Sequence, residues 1–183
     1  MTFLKHQALK GLCAASLAMM AAYGAHADCG PVIAAFEKAD VTGRFAWFEV
    51  ADVNQTPTGD PIMVTIGDVS YVPVEAGPKF KGKYQTTGIL QGVLAASLKR
   101  RESDGRASCK PLDDRTLRGE PAMGFDVTGG TPIGNTGSSS EEVWISRGTG
   151  LPIIQDTDSA IHGGVVWVYG AAVSAPPPEK LLK

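Results

Sequence analysis

The sequence predicts an α+β fold in which one or two helices pack on an antiparallel sheet. Several short segments rich in aromatic and β-branched residues follow one another with turn residues between them, as in a succession of hairpins. Two further segments place apolar residues at helical spacing. The segment 165–173 is apolar on both faces, so other parts of the chain must cover both sides of that strand.

The two predicted helices lie at residues 31–39 and 89–99. Pro31 suits the first turn of the first helix, whose apolar face is formed by Val32, Ala35, Phe36 and Ala39. The second helix has an apolar face wider than one stripe, formed by Ile89, Leu90, Val93, Leu94, Ala96 and Leu98. Inside this helix Gly92 is expected to cost about 1 kcal/mol relative to alanine.

The predicted strands are separated by turns rich in glycine, proline and asparagine. They span residues 44–50, 62–66, 70–74, 118–127, 142–146, 151–155 and 165–173. The short turn at Gly148 to Gly150 forces its flanking strands together, so 143–146, 152–156 and 165–173 are expected to be consecutive neighbours. Residues 129–140 are almost entirely small and polar, which predicts a mobile loop.

The first 27 residues have the pattern of a cleaved signal peptide. Lys5 and Lys10 precede an apolar run at 11–23, and Ala25-His26-Ala27 supplies the small residues that signal peptidase requires. The apolar run is too short for a membrane anchor, which needs about 20 residues, and no lipobox precedes a cysteine. We therefore expect a periplasmic protein with one α+β domain at 28–175 and a loose, proline-rich tail at 176–183.

The charge balance argues against nucleic acid as a partner. The chain has 17 basic and 19 acidic residues, and loss of the two lysines before residue 27 makes the mature chain more acidic still. No segment beyond residue 27 approaches 18 uninterrupted apolar residues, so no transmembrane segment is expected in the mature chain.

Cys29 and Cys109 are the two cysteines that would remain after cleavage. In an oxidising compartment such a pair predicts a disulfide, and the chain-entropy model assigns to this loop length about 4–5 kcal/mol. The alternative is two unrelated buried thiols. A redox-active pair is less favoured, because no C-x-x-C spacing is present.

No pattern in the sequence indicates catalysis, a metal or a cofactor. His162 adjoins two glycines and is interpreted as a turn residue, and no G-x-S-x-G elbow presents a nucleophile. Asp156 and Asp158 share one strand face, but they supply too few oxygen ligands for calcium. The basic run at 99–101 could contact anionic lipids, although a solvated helix end is the commoner structure.

The segment Glu142-Val143-Trp144-Ile145-Ser146-Arg147 with the following Gly148-Thr149-Gly150-Leu151-Pro152-Ile153 resembles a strand-turn-strand of the periplasmic lipoprotein-carrier superfamily, the LolA/LolB/RseB type. Residues 67–71 are similar to a hairpin of the same superfamily. The resemblance implies that the antiparallel sheet is strongly curved into a half-barrel, with one or two helices on its apolar concave side. It also implies a non-catalytic binding protein that holds a lipid or the acyl chains of a lipoprotein.

The hypothesis from the sequence is therefore an acyl-ligand cavity between the concave sheet face and the second helix. The residues expected to line it are Trp47, Ile89, Leu90, Val93, Leu94, Trp144, Trp167 and Tyr169. For the three tryptophans, solid core is the simplest interpretation, and a cavity wall is the alternative that the sequence does not separate from it. The main alternative function is an envelope adaptor or sensor that binds another protein and no small ligand, and an enzyme ranks third.

Overall fold

The computed structural model describes residues 28–74, 79, 81–87, 92–129, 140–156 and 164–182. These residues form two α-helices, α1 (Gly30–Thr42) and α2 (Val93–Ser103). The strands are β1 (Arg44–Val50), β2 (Met63–Ile66), β3 (Val69–Pro73), β4 (Tyr84–Thr87), β5 (Ser108–Pro111), β6 (Arg115–Leu117), β7 (Glu120–Thr128), β8 (Ser140–Ser146), β9 (Pro152–Asp156) and β10 (Gly164–Tyr169).

The strands form one open, curved sheet in the order β4-β3-β2-β1-β10-β9-β8-β7-β5, with β6 paired to β7. All of its strand pairs are antiparallel, so the predicted α+β class is confirmed. The predicted neighbours β8, β9 and β10 are also adjacent, since the turn at 147–151 is too short to allow any other pairing of β8 with β9.

Helix α1 confirms the first predicted helix and extends it at both ends. Its apolar stripe is fully buried at Val32, Phe36 and Ala39, and the helix packs on β1, β8 and β9. It ends at Gly43, whose φ of 61° lies in the left-handed region that glycine tolerates best. We call the side of the sheet that carries α1 and α2 the helical face.

Helix α2 differs from the second predicted helix. It begins at Val93, because Gly92 has a φ of 74° and stands before the first helical residue. The predicted glycine penalty inside the helix is therefore wrong, since Gly92 makes the turn into α2. Residues 89–91 lie outside the described residues. The expected cations of the last turn are present as Arg100 and Arg101.

Strand β10 is shorter than predicted. It ends at Tyr169, because Gly170 has a φ of 80° and starts a 3₁₀ turn over Gly170–Ala172. Among the described strands the longest is β7. The expected cover on both sides is confirmed, since Val165 and Trp167 pack in the core of the helical face and Val166 packs in a second core on the opposite face.

The predicted disulfide between Cys29 and Cys109 is present, with a Cα–Cα distance of 4.9 Å and both residues fully buried. It joins the start of α1 to β5. The backbone N–H of Cys29 also donates to Glu102 Oε1 at 2.7 Å, so α2 is held at the same point.

The sequence analysis did not predict β4, β5 or β6, which carry few apolar residues. It placed one strand at 118–127, where the structure has a turn at 118–119 followed by β7. Residues 176–182, expected to be loose, form a 3₁₀ turn over Pro178–Lys180 and pair with β4 through Leu181. The expectations for residues 1–27, the loop 130–139, Asp158 and His162 fall outside the described residues.

Within the described ranges, neither helix is long and apolar enough to cross a membrane.

Candidate ligand site on the helical face

The two faces of the sheet are covered in different ways. On the helical face, side chains of α1 and α2 join those of the strands in the largest buried core. On the opposite face, Leu117 of β6, Leu112 and the partly buried Val53 pack over one smaller core, and Val173 packs over another. Helices thus cover one face, whereas short connections and the chain after β10 cover the other.

An aromatic cluster occupies the helical face under α1. We define it as Phe36, Phe45, Trp47, Trp167 and Tyr169. Strand pairing between β1 and β10 sets Trp47 opposite Trp167, with ring centroids 4.9 Å apart, and Phe45 opposite Tyr169. Phe36 of α1 stacks on Trp167 at 5.9 Å. Because alternate residues of a strand share a face, two strands bring four rings together and the helix adds a fifth.

Two indole N–H groups in this cluster have no acceptor within the part of the chain that the structure describes. The Nε1 atoms of Trp47 and Trp167 are buried, and among the described residues neither finds a hydrogen-bond partner. The third tryptophan is different, since Trp144 Nε1 donates to Glu142 Oε2 at 3.0 Å. Buried donors are nearly always paired in folded proteins, so the two unpaired donors mark a place where an acceptor is expected.

An acidic group borders the cluster near Tyr169. Burial raises the pKa of the Asp40 carboxyl, the backbone N–H of Gly92 lowers it by donating to Oδ2 at 2.8 Å, and Glu37 raises it. Burial also raises the pKa of the Tyr169 hydroxyl far above its usual range, with a further contribution from Asp40. The Tyr169 hydroxyl therefore stays protonated, and it donates to the carbonyl oxygen of Pro152 at 2.7 Å.

The structure brings together some of the predicted cavity residues and separates others. Trp47, Trp167 and Tyr169 lie in the aromatic cluster, and Leu94 of α2 is buried in the same core. Val93 is half-buried at the start of α2. Trp144 lies on the opposite face of the sheet, away from the other two tryptophans. Ile89 and Leu90 lie outside the described residues.

Sequence reasoning missed two members of the cluster, Phe36 and Phe45. Phe45 could have been found, because it lies two residues before Trp47 on a predicted strand and must share its face. Phe36 could be assigned to the buried stripe of α1, but no sequence signal tells which strands that stripe meets.

The helical face also holds a buried polar pair toward the β8–β9 side. Gln155, which is fully buried, donates through Nε2 to Glu141 Oε2 at 2.5 Å. In the part of the chain that the structure describes, no group of three His, Cys, Asp or Glu side chains could hold a metal ion.

No protein-family model matches the chain, and no curated protein matches it significantly. A solved structure of an uncharacterized conserved protein from Thermus thermophilus is similar with 8% sequence identity and a TM-score of 0.39, covering 85% of this chain and 99% of that chain. A similarity at this level carries no argument about function. The resemblance to the lipoprotein-carrier superfamily stays a prediction.

Proposed function

We propose that this protein is a non-catalytic, exported binding protein that holds an acyl ligand of a lipid on the helical face, against the aromatic cluster. The observation that carries the proposal is the pair of buried, unpaired indole donors of Trp47 and Trp167, which find no acceptor among the described residues. A ligand with an apolar chain and a carbonyl oxygen has the chemistry that this place requires.

The energetic reason lies in the cost of the unpaired donors. A buried polar group without a partner costs about 1–3 kcal/mol, which a ligand oxygen accepting from the indole would recover. The rings around the donors offer apolar surface, and burial of each CH₂ of an acyl chain contributes about 0.8 kcal/mol. The apolar rings and the polar donors therefore favour the same amphipathic ligand.

Helix α2 is the element that could move to admit such a ligand. It packs most closely against α1, and its Leu94, Ala95 and Leu98 reach the core of the helical face. Gly92 stands at its start with a left-handed backbone, and one hydrogen bond from Gly92 to Asp40 fixes that end. Displacement of α2 would uncover Leu94 and its neighbours without breaking any strand pairing.

Export is part of the proposal and is supported by the buried disulfide, since such bonds persist in oxidising compartments.

The experiment is a titration of the purified protein with a fluorescent acyl ester, with Trp→Phe variants that remove one indole N–H each. Wild type should bind at micromolar concentration. Trp47→Phe and Trp167→Phe should each weaken binding about fivefold to tenfold, which corresponds to one hydrogen bond of about 1 kcal/mol.

Trp144→Phe is the matched control, because its donor is already paired to Glu142 and lies on the opposite face. Its affinity for the ester should equal that of wild type. If wild type takes up no acyl probe at tens of micromolar, or if all three variants bind equally, the acyl-binding function is wrong.

A second candidate function is the binding of another envelope protein. It is favoured by a different observation: Leu181, near the end of the chain, pairs with Tyr84 at the outer edge of β4.

A further inference from the structure

Strand β4 forms one end of the sheet, and a short piece of the same chain is paired to its outer edge. Leu181 forms a parallel bridge with Tyr84, and the backbone N–H of Leu182 donates to the carbonyl oxygen of Tyr84 at 2.8 Å. Backbone groups of alternate residues point the same way along a strand, so Thr86 directs its groups to this edge as well. We call residues 176–182 the edge segment.

The edge segment is held by few and exposed contacts. Lys180 Nζ pairs with the Asp60 carboxylate at 2.8 and 3.0 Å, and both side chains are more than a third exposed. Lys83 Nζ donates to the carbonyl oxygen of Glu179. Exposed ion pairs contribute about 0–1 kcal/mol, so the segment can be displaced at modest cost.

A cavity of about 150 Å³ lies beneath the edge segment. Its walls include Pro61, Val64 and Tyr84 on one side and Pro176 and Pro177 on the other. A cavity of this order of size can accommodate a group as large as a benzene ring. The edge segment pairs with β4 through its backbone and leaves this space open.

The other end of the sheet does not offer an equivalent edge. Strand β5 carries exposed Lys110 and Pro111, and both residue types discourage pairing with a further strand. Its Cys109 is also tied to α1 by the disulfide. Strand β6, which lies next to β5 along β7, has only three residues. A partner strand therefore has one favourable edge among the described strands, that of β4.

We propose that the β4 edge is a strand-addition site for an extended segment of another protein, and that the edge segment occupies it as an internal ligand. The internal ligand defines the chemistry of the partner. The partner presents a cation to Asp60 and follows it with an aliphatic residue beside Tyr84, as Lys180 and Leu181 do in the internal ligand. Backbone hydrogen bonds supply affinity and these side chains supply selectivity. The site is independent of acyl binding on the helical face.

The test uses the full chain with the edge segment released by Lys180→Glu and Leu181→Asp. A fluorescent peptide with the sequence of residues 176–182 is added, and binding is followed by anisotropy. The released variant should bind the peptide at least tenfold more tightly than wild type, whose edge is already occupied. Glu179→Gln is the matched control, because Glu179 contributes its backbone carbonyl, and this variant should bind as weakly as wild type.

A charge exchange tests the role of Asp60. Adding Asp60→Lys to a chain released by Lys180→Ala and Leu181→Asp, in which residue 180 cannot pair with the new lysine, should abolish binding of the peptide, and a peptide carrying Lys180→Glu should restore it. Circular dichroism confirms that each variant is folded. A folded, released variant that binds no peptide at millimolar concentration overturns the proposal, as does equal binding by wild type and released variant.

One further outcome would change the identity of the partner that binds the β4 edge. If wild type dimerises in size-exclusion chromatography and the released variant does not, the occupant is a second copy of this chain, and the proposal of a different partner protein is wrong.

Discussion

Tryptophan side chains are buried on both faces of the sheet, but the two faces give them different environments. On the opposite face, the ring of Trp144 lies against Gly124, the guanidinium of Arg115 stands 5.0 Å from the ring centre, and Glu142 accepts from the indole nitrogen. On the helical face, Trp47 and Trp167 are also buried, but their donors have no acceptor among the described residues.

This difference distinguishes a core in which the buried indole nitrogen is hydrogen-bonded from a candidate binding site. Around Trp144 every polar requirement of the indole is met, so that face needs nothing further for stability. Around Trp47 and Trp167 the apolar requirement is met, while no acceptor for the indole nitrogens lies among the described residues. A ligand bound on the helical face, as proposed, would supply that acceptor.

The largest expected effect comes from the disulfide, which lies in the core of the helical face and not in those of the opposite face. The double variant Cys29→Ala, Cys109→Ala should lower the free energy of unfolding by about 2–5 kcal/mol. Denaturation in urea measures the loss. Hydrogen exchange should show α1 losing protection first, since the disulfide holds the residue that precedes it, while β6 and β7 keep theirs until global unfolding. Equal loss of protection on both faces would contradict the separation of the two faces.

The next effect is a loss of stability caused by overpacking on the opposite face. A Cβ at Gly124 would lie 2.6 Å from the ring of Trp144, so Gly124→Ala should cost about 1–3 kcal/mol by overpacking. Gly148→Ala is the control, because its Cβ would meet nothing closer than 3.8 Å. Thermal denaturation compares the two variants. If acyl binding by Gly124→Ala also falls while the protein is folded, the two faces are coupled more strongly than the packing indicates.

A smaller effect distinguishes the tryptophans directly. Trp→Phe removes the same volume at each position, but at Trp144 it also removes a hydrogen bond and leaves Glu142 without that donor. Trp144→Phe should therefore destabilise the protein by about 1 kcal/mol more than Trp47→Phe or Trp167→Phe. Urea denaturation without ligand measures the difference. Equal losses at all three positions would mean that the two donors of the helical face are paired in solution.

The smallest effect is a pH dependence at the border of the aromatic cluster. Burial raises the pKa of Asp40 above its ordinary value of 3.8, so the folded state holds this proton more tightly than the unfolded state. The stabilisation that comes from the tighter proton binding of Asp40 is therefore fully present below pH 3.8, and it is lost as the pH rises through the raised pKa.

Asp40→Asn keeps an oxygen acceptor for Gly92 and removes this titration. The stability of wild type relative to Asp40→Asn should fall as the pH rises from about 3 to 7. Urea denaturation at several pH values measures it. A relative stability that rises over this range would reverse the sign and contradict the burial of Asp40 beside Tyr169.

Local patterns predicted much of the framework. Aromatic and β-branched enrichment in residues 44–50 predicted β1 at its observed bounds, and the turn at Gly148 to Gly150 predicted the adjacency of β8 and β9. The same patterns failed at Gly92 and Gly170, where periodicity continued through a glycine that the backbone uses to change direction. They also missed β4, whose four residues include no apolar residue besides Tyr84.

The candidate site was predictable only in part. Alternation places Trp47 with Phe45, and Trp167 with Tyr169, on shared faces whatever the rest of the fold does. The sequence also grouped Trp144 with them, which the structure does not, because the face that a strand turns toward the helices depends on its register with distant strands.

The sequence by itself determined both helices and the apolar strands, which residues share a strand face, and which two cysteines could pair beyond residue 27. These properties depend on neighbours a few residues apart and on composition. Only the tertiary structure decided that α1 packs on β1, β8 and β9, that Glu142 pairs with one indole while two others find no acceptor among the described residues, and that residues 176–182 lie on the β4 edge. Those outcomes depend on contacts between segments far apart in the chain, whose relative placement is set by the packing of the whole sheet rather than by local periodicity.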